Sequence, residues 1–324
     1  MAYQVPGASA PHANVVAAIN GNHASVDFTG LPHYDSTEIN PSSVELYISA
    51  PAPTDFQSAV VVLNQARSLY LDHLTYNNGG GAPIYAHKVQ DNVNVVTQPA
   101  MDGGALYTTM FNAIKTLYLA VRTSYVNHIN NLKPNQTAGL YHVGIDTVDV
   151  LGAVPVINDE ADLVVDMNNL KAQFNAHIVN TTGVHGAADG GNALTSPNAV
   201  LGDLDTSIDL VNEMKTNLNA HFATGGMVHT GAFGADTQNT IVASSVSYPA
   251  GLFDLANDIY TQYEAHRVSV TYHNVADGTN ILAGVMTYPV TTIAELIDAA
   301  GFIQTKLNGH FRFAPLYSRA LRVV

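Results

Sequence analysis

Apolar residues recur along this chain at the spacing of an α-helix, and each such run ends at a histidine. Leu163, Met167, Leu170 and Phe174 stand 14, 10, 7 and 3 residues before His177, so they share one face of a helix with a period of about 3.6 residues. Apolar residues at matching offsets precede the other histidines of this kind, His73, His128, His221, His266 and His310. We call these the helix-end histidines and predict each at the C-terminal end of a buried stripe.

The helix-end histidines follow one another at separations of 55, 49, 44, 45 and 44 residues. Such self-similarity is typical of repeat proteins, in which neighbouring units bury their apolar faces against each other. We therefore predict a mainly α protein of five or six helix–loop units, packed as a helical bundle or a short solenoid. Residues that can cap the helix starts precede several of the apolar runs: Asp55, Asp159 or Asp162, Asp203 or Asp205, Asp254, and Thr291 or Thr292.

The repeats divide the chain into three parts. Residues 1–55 form an N-terminal segment, residues 56–310 a helical repeat domain, and residues 311–324 a C-terminal arm. The N-terminal segment holds a shortened copy of the repeat with His12, His23 and Asp27. The arm carries Arg312, Arg319 and Arg322 among aromatic and aliphatic residues, and it is interpreted either as an element packed on its own domain or as a docking arm for a neighbouring subunit.

Short β-strands are expected as a minor component, chiefly near the N-terminus. In SVELYISA, the apolar residues Val44, Leu46 and Ile48 alternate with Glu45, Tyr47 and Ser49. This alternation indicates a half-buried strand. Brief apolar stretches between the helices are read as strand fragments or extended connectors.

The second half of each repeat is a polar loop with the spacing His–x3–Asp–x2–Asn. We call its first residue the loop histidine. The copies are His87/Asp91/Asn94, His142/Asp146/Asp149, His185/Asp189/Asn192, His229/Asp236/Asn239 with three extra residues, and His273/Asp277/Asn280. The distance from helix-end to loop histidine varies between 14 and 7 residues, while the flanking residues persist. This pattern suggests that the two flanks meet in space.

Two chemical interpretations of these loops are open. Two imidazoles and a carboxylate form a suitable ligand set for Zn²⁺ or another divalent transition metal. The candidate metal ligands, copy by copy, are His177, His185 and Asp189; His221, His229 and Asp236; and His266, His273 and Asp277. The interpretation that the sequence favours is a clasp without a cofactor, in which these groups bond to one another and to free carbonyls at the helix end. If the metal interpretation holds instead, we expect a structural ion.

The composition limits the partners. Only 12% of residues are charged and the formal net charge is −14, so a nucleic acid backbone is an unfavourable partner. The absence of cysteine excludes disulfides and thiolate metal sites. No stretch approaches the roughly 18 apolar residues of a membrane span, and the N-terminus does not have the pattern of a secretory signal.

Catalysis is not indicated by any one repeat. No copy departs from the others toward an acid–base pair, no G-x-S-x-G is present, and the glycine-rich loop at 77–83 lacks the Lys–Ser/Thr of a phosphate loop. We therefore expect no enzyme activity.

The repeated form N-A-H-x(5–8)-H-x3-D-x2-N after an amphipathic helix resembles a repeat found in virion structural proteins of tailed bacteriophages. Here it is carried by NAHIVNTTGVHGAADGGN, NAHFATGGMVH and EAHRVSVTYHNVADGTN. The resemblance implies a virion component, such as a capsid decoration, tail or connector protein, that forms a homo-oligomer and contacts other virion proteins. The alternatives are a metal-binding protein with repeated His/His/Asp sites, and a surface adhesin or hydrolase.

Overall fold

Within the described residues the chain forms six α-helices, each of which ends within two residues of a helix-end histidine. The computed structural model describes residues 46–75, 90–225, 228–229, 234–273 and 275–311. The helices are α1 (Phe56–Thr75), α2 (Gly103–Ile129), α3 (Glu160–His177), α4 (Leu204–Ala223), α5 (Asp254–Arg267) and α6 (Ile293–Phe311), with one 3₁₀ turn at Gly190–Asn192. The predicted mainly helical class is confirmed.

The helices form two groups of three. Helices α1, α5 and α6 contact one another, and so do α2, α3 and α4. Contacts of α1 with α2 and of α4 with α6 join the groups, and one continuous hydrophobic core runs through both. The arrangement is compatible with the predicted bundle. The first and last described helices, α1 and α6, therefore belong to the same group.

The predicted apolar stripes form this core. Leu163, Met167, Leu170 and Phe174 of α3 are all buried, and His177 at the end of their stripe is buried with them. Full burial of each such apolar side chain stabilises a fold by roughly 1.5–3 kcal/mol. The helix ends are therefore held inside the protein, and their polar groups need partners there.

Side-chain caps begin several helices as predicted. Asp159 accepts a hydrogen bond from the Asp162 amide at 3.0 Å, and Asp203 does the same for two amides at the start of α4. The Thr292 hydroxyl accepts a hydrogen bond from the Glu295 amide, and the Glu295 carboxylate accepts one from the Thr292 amide. These bonds satisfy amides that the first turn of a helix leaves free.

Asparagine side chains fasten the extended connectors onto the helices. The Asn219 amide group donates to the Ile241 carbonyl at 3.1 Å, and its oxygen accepts from the Ile241 amide at 2.7 Å. The same two-way bond joins Asn64 to Met101, Asn168 to Ala199, Asn175 to Leu194, Asn212 to Val246, Asn257 to Val290, and Asn308 to Ile48. One amide side chain thus satisfies both polar groups of a connector residue, as a neighbouring strand would.

The predicted N-terminal strand is not present among the described residues. Leu46 and Ile48 are buried and Tyr47 is exposed, so the predicted alternation holds for residues 46–48. The segment is extended but it pairs with α6 side chains instead of another strand: Asn308 bonds both polar groups of Ile48, and Gln304 donates to the Ala50 carbonyl. Helix side chains therefore satisfy the backbone groups for which a strand partner was expected.

Several predicted features lie outside the described residues. These are the partial repeat at His12, His23 and Asp27, the glycine-rich loop at 77–83, the loop histidine His87, and residues 312–324 of the C-terminal arm. Phe311, the first residue assigned to the arm, is the last residue of α6. In the described part of the chain, the helices lack the length and apolar character that crossing a membrane requires.

Candidate metal centres

The described histidines gather in two buried clusters, one in each helix group. The first cluster consists of His128, His142, His177, His185, His221 and His229, and the second of His73, His266, His273 and His310. All of these side chains are buried. Histidines up to 101 residues apart in the first cluster, and up to 237 residues apart in the second, thus share one small volume.

The six rings of the first cluster are arranged as three opposite pairs. The pairs are His128/His185, His142/His221 and His177/His229. Rings from different pairs lie 4.3–5.5 Å apart between centroids, and the two rings of one pair are separated by the other four. Six groups related in this way occupy the corners of an octahedron.

The two kinds of histidine occupy opposite faces of this octahedron. The helix-end residues His128, His177 and His221 form one face and come from the ends of α2, α3 and α4. The loop histidines His142, His185 and His229 form the other face. Each of three consecutive repeats therefore contributes one imidazole to each face.

An aspartate from one repeat holds the helix-end histidine of another. The Asp146 carboxylate lies 2.7 Å from Nδ1 of His177, and Asp189 lies 2.9 Å from Nδ1 of His221. The series closes on itself, because Asp236 of the third repeat lies 2.8 Å from Nδ1 of His128 in the first. The three repeats are thus joined in a ring by their side chains.

Each aspartate is anchored to its own repeat through the backbone. Its amide donates to the carbonyl of the residue that follows the helix-end histidine of that repeat: Asp146 to Ile129, Asp189 to Ile178, and Asp236 to Phe222, at 2.7–2.9 Å. This bond fixes the start of the loop on its own helix end. The aspartate therefore links two repeats, one through its amide and the other through its carboxylate.

The remaining spacing of the motif orients the carboxylate. In Asp277, one oxygen accepts from the amides of Thr279 and Asn280, and the other accepts from the Asn280 side chain at 2.7 Å and from His310. A carboxylate that accepts several such bonds is fixed in position and stays ionised. The Asn of the motif therefore supports the aspartate. It does not reach the histidine nitrogens.

These bonds define which nitrogen of each helix-end ring carries a proton. A carboxylate only accepts, so Nδ1 of His128 and His221 donates and Nε2 of both rings is left with a lone pair when the rings are neutral. In the loop histidines His185 and His229, Nδ1 donates to the carbonyls of Asn180 and Thr224. The lone pair of these two rings is likewise on Nε2.

The first cluster contains several free ring nitrogens. Within the described residues, Nε2 of His177, His185 and His229 and both ring nitrogens of His142 are buried without a hydrogen-bond partner. Nε2 of His128 and Nε2 of His221 face each other at 3.2 Å. Ligand nitrogens of the cluster other than that of His177 lie within 4.8 Å of one another.

Burial keeps these imidazoles neutral. Desolvation lowers the pKa of His177, His185 and His221 to about 4, and it also lowers the pKa of His128 and His229. A neutral imidazole with a free lone pair is the form that binds a metal ion. The cluster is therefore prepared as a ligand set at neutral pH.

Comparison with protein-family models, with curated proteins and with solved structures finds no match to this chain.

The second cluster is built by the same rules. Nδ1 of His266 lies 2.7 Å from Asp91, and Nδ1 of His310 lies 2.9 Å from Asp277. Nε2 of His310 lies 3.2 Å from Nε2 of His73. One ligand nitrogen from each of the four described histidines, His273 included, lies within 4.8 Å of the others. The second cluster joins the end of α1 to the ends of α5 and α6.

The candidate sets from the sequence are distributed differently in the structure. The histidines of the first two sets, His177, His185, His221 and His229, lie together in the first cluster, whereas His266 and His273 lie in the second. The three aspartates, Asp189, Asp236 and Asp277, hold a histidine of another repeat from outside the cluster. The structure therefore brings the imidazoles of three repeats together, and the copy-by-copy His/His/Asp grouping is not formed.

Four members of the clusters were not among the candidate ligands. They are His73, His128, His142 and His310. Each one stands at a helix-end or loop position of the repeat, so the repeat itself was the signal that identified them. A further polar group, Asp146 and Asp149 beside His177, is explained by hydrogen bonds: Asp146 binds His177, and Asp149 accepts from Asn180 at 3.0 Å.

Proposed function

We propose that this protein is a non-catalytic structural protein whose repeats are locked together by buried divalent transition-metal ions, one in each histidine cluster. The ions tie helix ends and loops from separate repeats into one unit. The role of the metal is to stabilise the fold, as in other structural metal sites, where the free energy of binding contributes directly to folding.

The main support for the proposal is the contact between two histidine nitrogens. In the first cluster, Nε2 of His128 and Nε2 of His221 are 3.2 Å apart, and both rings place their single proton on Nδ1 toward an aspartate. Neither Nε2 atom can donate to the other, so two lone pairs face each other in a buried space. These lone pairs repel each other, whereas a cation bound between them attracts both.

The remaining histidines of the first cluster support the same conclusion. A buried polar atom without a partner costs a fold roughly 1–3 kcal/mol. Among the described residues, His142, His177, His185 and His229 all contribute such atoms to one cluster. A single bound ion would pair with one free nitrogen of each of these four rings, whereas a clasp without metal pairs with none of them.

The first experiment compares the thermal unfolding of the purified protein before and after treatment with EDTA, followed by the addition of Co²⁺, Ni²⁺ or Zn²⁺. A ligand present at about a thousand times its Kd stabilises the folded state by about 4 kcal/mol. We expect EDTA to lower Tm and a transition metal to restore it. Mg²⁺, which prefers oxygen ligands, is the control and should leave Tm of the treated protein unchanged.

A finer proposal is that the protein acts in a virion as a capsid decoration, tail or connector component. The repeat resemblance motivates it, and one structural observation favours a role in assembly. Residues 140–156 expose a series of aliphatic side chains, with Leu140 at 69%, Val148 at 74%, Val154 at 67% and Val156 at 77% exposure. Exposed apolar surface is typical of protein–protein contacts where it is contiguous, and these residues lie close together in the chain.

This role is tested by the oligomeric state of the metal-loaded protein, measured by light scattering and electron microscopy. A defined symmetric oligomer is expected for a component that contacts copies of itself. A monomer at all concentrations, with no oligomer in micrographs, would contradict the assembly role and would leave the metal proposal intact.

A further inference from the structure

The geometry of the first cluster points to more than metal binding. We infer that it holds its ion in an octahedral shell of six imidazoles supplied by one chain, and that this shell selects Fe²⁺, Co²⁺ or Ni²⁺ over Zn²⁺. The inference rests on the proposed function, because it specifies the coordination and the class of ion at that same site.

The dimensions of the cluster fit such a shell. With metal–nitrogen bonds of roughly 2.1 Å, neighbouring ligands of an octahedron are about 3 Å apart and opposite ligands about 4.2 Å apart. The neighbouring ligands His128 and His221 have their Nε2 atoms 3.2 Å apart. Two complete opposite pairs, His128/His185 and His142/His221, are within the set of nitrogens that lie no more than 4.8 Å from one another.

The third opposite pair completes the shell. His229 belongs to the same set of nitrogens, and its counterpart His177 lies 4.6–5.4 Å, between ring centroids, from the rings of the two other pairs. Nε2 of His177 is buried without a partner, since its Nδ1 is bonded to Asp146. The sixth imidazole therefore lies beside the other rings with a free lone pair on Nε2.

The ligand type and number decide which ions suit the site. Structural zinc is almost always four-coordinate and gains no preference for six ligands from its filled d shell. Mg²⁺ and Ca²⁺ prefer oxygen ligands, which this shell lacks. Imidazole suits iron, nickel and other first-row transition ions, and in this series affinity rises from Fe²⁺ through Co²⁺ to Ni²⁺. An all-imidazole octahedron therefore favours that group.

The surrounding carboxylates complement the charge of the ion. Six neutral imidazoles leave the full 2+ charge in a buried space, and Asp146, Asp189 and Asp236 place carboxylates against the outer nitrogens of three rings. Carboxylates in this position orient the ring and increase its basicity. They are positioning residues, and the imidazoles are the ligands.

The shell also leaves no open position on the ion. Catalytic metal sites keep a coordination position free for water or substrate, whereas this arrangement fills every position with protein. The first centre is therefore suited to holding three repeats together and unsuited to binding a substrate at the metal.

The test is X-ray absorption spectroscopy on nickel-loaded protein, together with competition between equal amounts of Ni²⁺ and Zn²⁺. To isolate the first centre, His273→Ala is used to weaken the second cluster. We expect six nitrogen ligands in the first shell and retention of nickel over zinc. Four ligands, or the displacement of nickel by zinc, would overturn the inference.

A second variant keeps the test decisive if His273→Ala does not fold. The double variant His142→Ala/His185→Ala removes two ligands from the first cluster only, so any difference between its spectrum and that of the unaltered protein comes from the first centre. If the first centre of the unaltered protein holds a metal with only four ligands, the octahedral assignment alone is wrong. Absence of any bound metal in the unaltered protein would sink the proposed function as well.

Discussion

Nε2 of His128 and Nε2 of His221 face each other at 3.2 Å, while Nδ1 of each ring is bonded to an aspartate from another repeat. The two residues are 93 positions apart and end different helices. Hydrogen bonding alone does not explain why a fold would bring two unprotonated nitrogens together in its interior. A shared metal ion does, and four further histidines surround the same point.

Replacing a ligand should release the ion from one cluster only. We expect His177→Ala to lose the metal of the first centre and, with it, stability of about 4 kcal/mol where the ion is at a thousand times its Kd. Metal content and Tm are the readouts. His33→Ala is the matched control, because His33 belongs to no copy of the repeat, and it should keep the full metal content. Equal metal content in both variants would contradict the assignment of His177.

An aspartate that only orients a ligand should have a smaller effect. Asp189→Asn keeps all six imidazoles but removes the carboxylate that receives Nδ1 of His221. Loss of such a supporting group typically weakens metal affinity about 10–100-fold. A competition titration with a chromophoric chelator measures the change. The control is Asp209→Asn, which changes an exposed aspartate on α4, the helix that carries His221. It should bind metal like the unaltered protein. Complete loss of metal in Asp189→Asn would indicate that Asp189 is itself a ligand.

The asparagine bridges to the connectors should contribute to stability independently of metal. In Asn219→Asp the carboxylate still accepts from Ile241 N but no longer donates to the Ile241 carbonyl. We expect a loss of roughly 1–3 kcal/mol, since a buried carbonyl is left without its donor. Denaturant unfolding measures it with and without EDTA.

Asn198→Asp makes the same chemical change at an exposed residue and serves as the control for that experiment. The Asn198 side-chain oxygen accepts from the Lys171 ammonium, so the added charge is well placed there. Stability within about 0.5 kcal/mol of the unaltered protein is expected, as for most surface substitutions. Equal losses in Asn219→Asp and Asn198→Asp would show that added charge, and not the lost bridge, is responsible.

The exposed aliphatic segment should affect assembly without affecting the metal centres. Val148→Glu and Val156→Glu place charges on the surface of residues 140–156, where both valines are mostly exposed. We expect smaller particles by light scattering with an unchanged metal content. Val242→Glu, at a valine that is 90% exposed outside this segment, is the control. Unchanged particle size in the first two variants would remove this surface from the assembly role.

The helices were predictable because their signal is local. An apolar stripe such as Leu163, Met167, Leu170 and Phe174 needs only a period of about 3.6 residues to define the buried face, and the histidine at its end follows from the same register. The asparagine bridges can also be recognised in the sequence, from a repeated spacing of asparagine and not from the hydrophobic pattern. Asn168 and Asn175 precede His177 at the spacing with which Asn212 and Asn219 precede His221.

The composition of the clusters was not predictable in the same way. Spacing along the chain suggests that His185, Asp189 and His177 act together, since they are close in sequence. The structure instead pairs Asp189 with His221, and Asp236 with His128, which lies 108 residues earlier. That partner choice depends on how α2, α3 and α4 pack around a common centre. It is a tertiary property, which a single repeat does not contain.

Whether buried metal ions lock the repeats together is tested most directly by the metal-to-protein ratio of the purified, unaltered chain. This ratio is measured by elemental analysis after expression in medium supplemented with iron, cobalt or nickel. We expect a tightly held transition metal, with one ion for each histidine cluster, and loss of the first-cluster ion in His177→Ala. A folded protein that contains no transition metal, and whose Tm does not respond to added metal, would contradict the proposal.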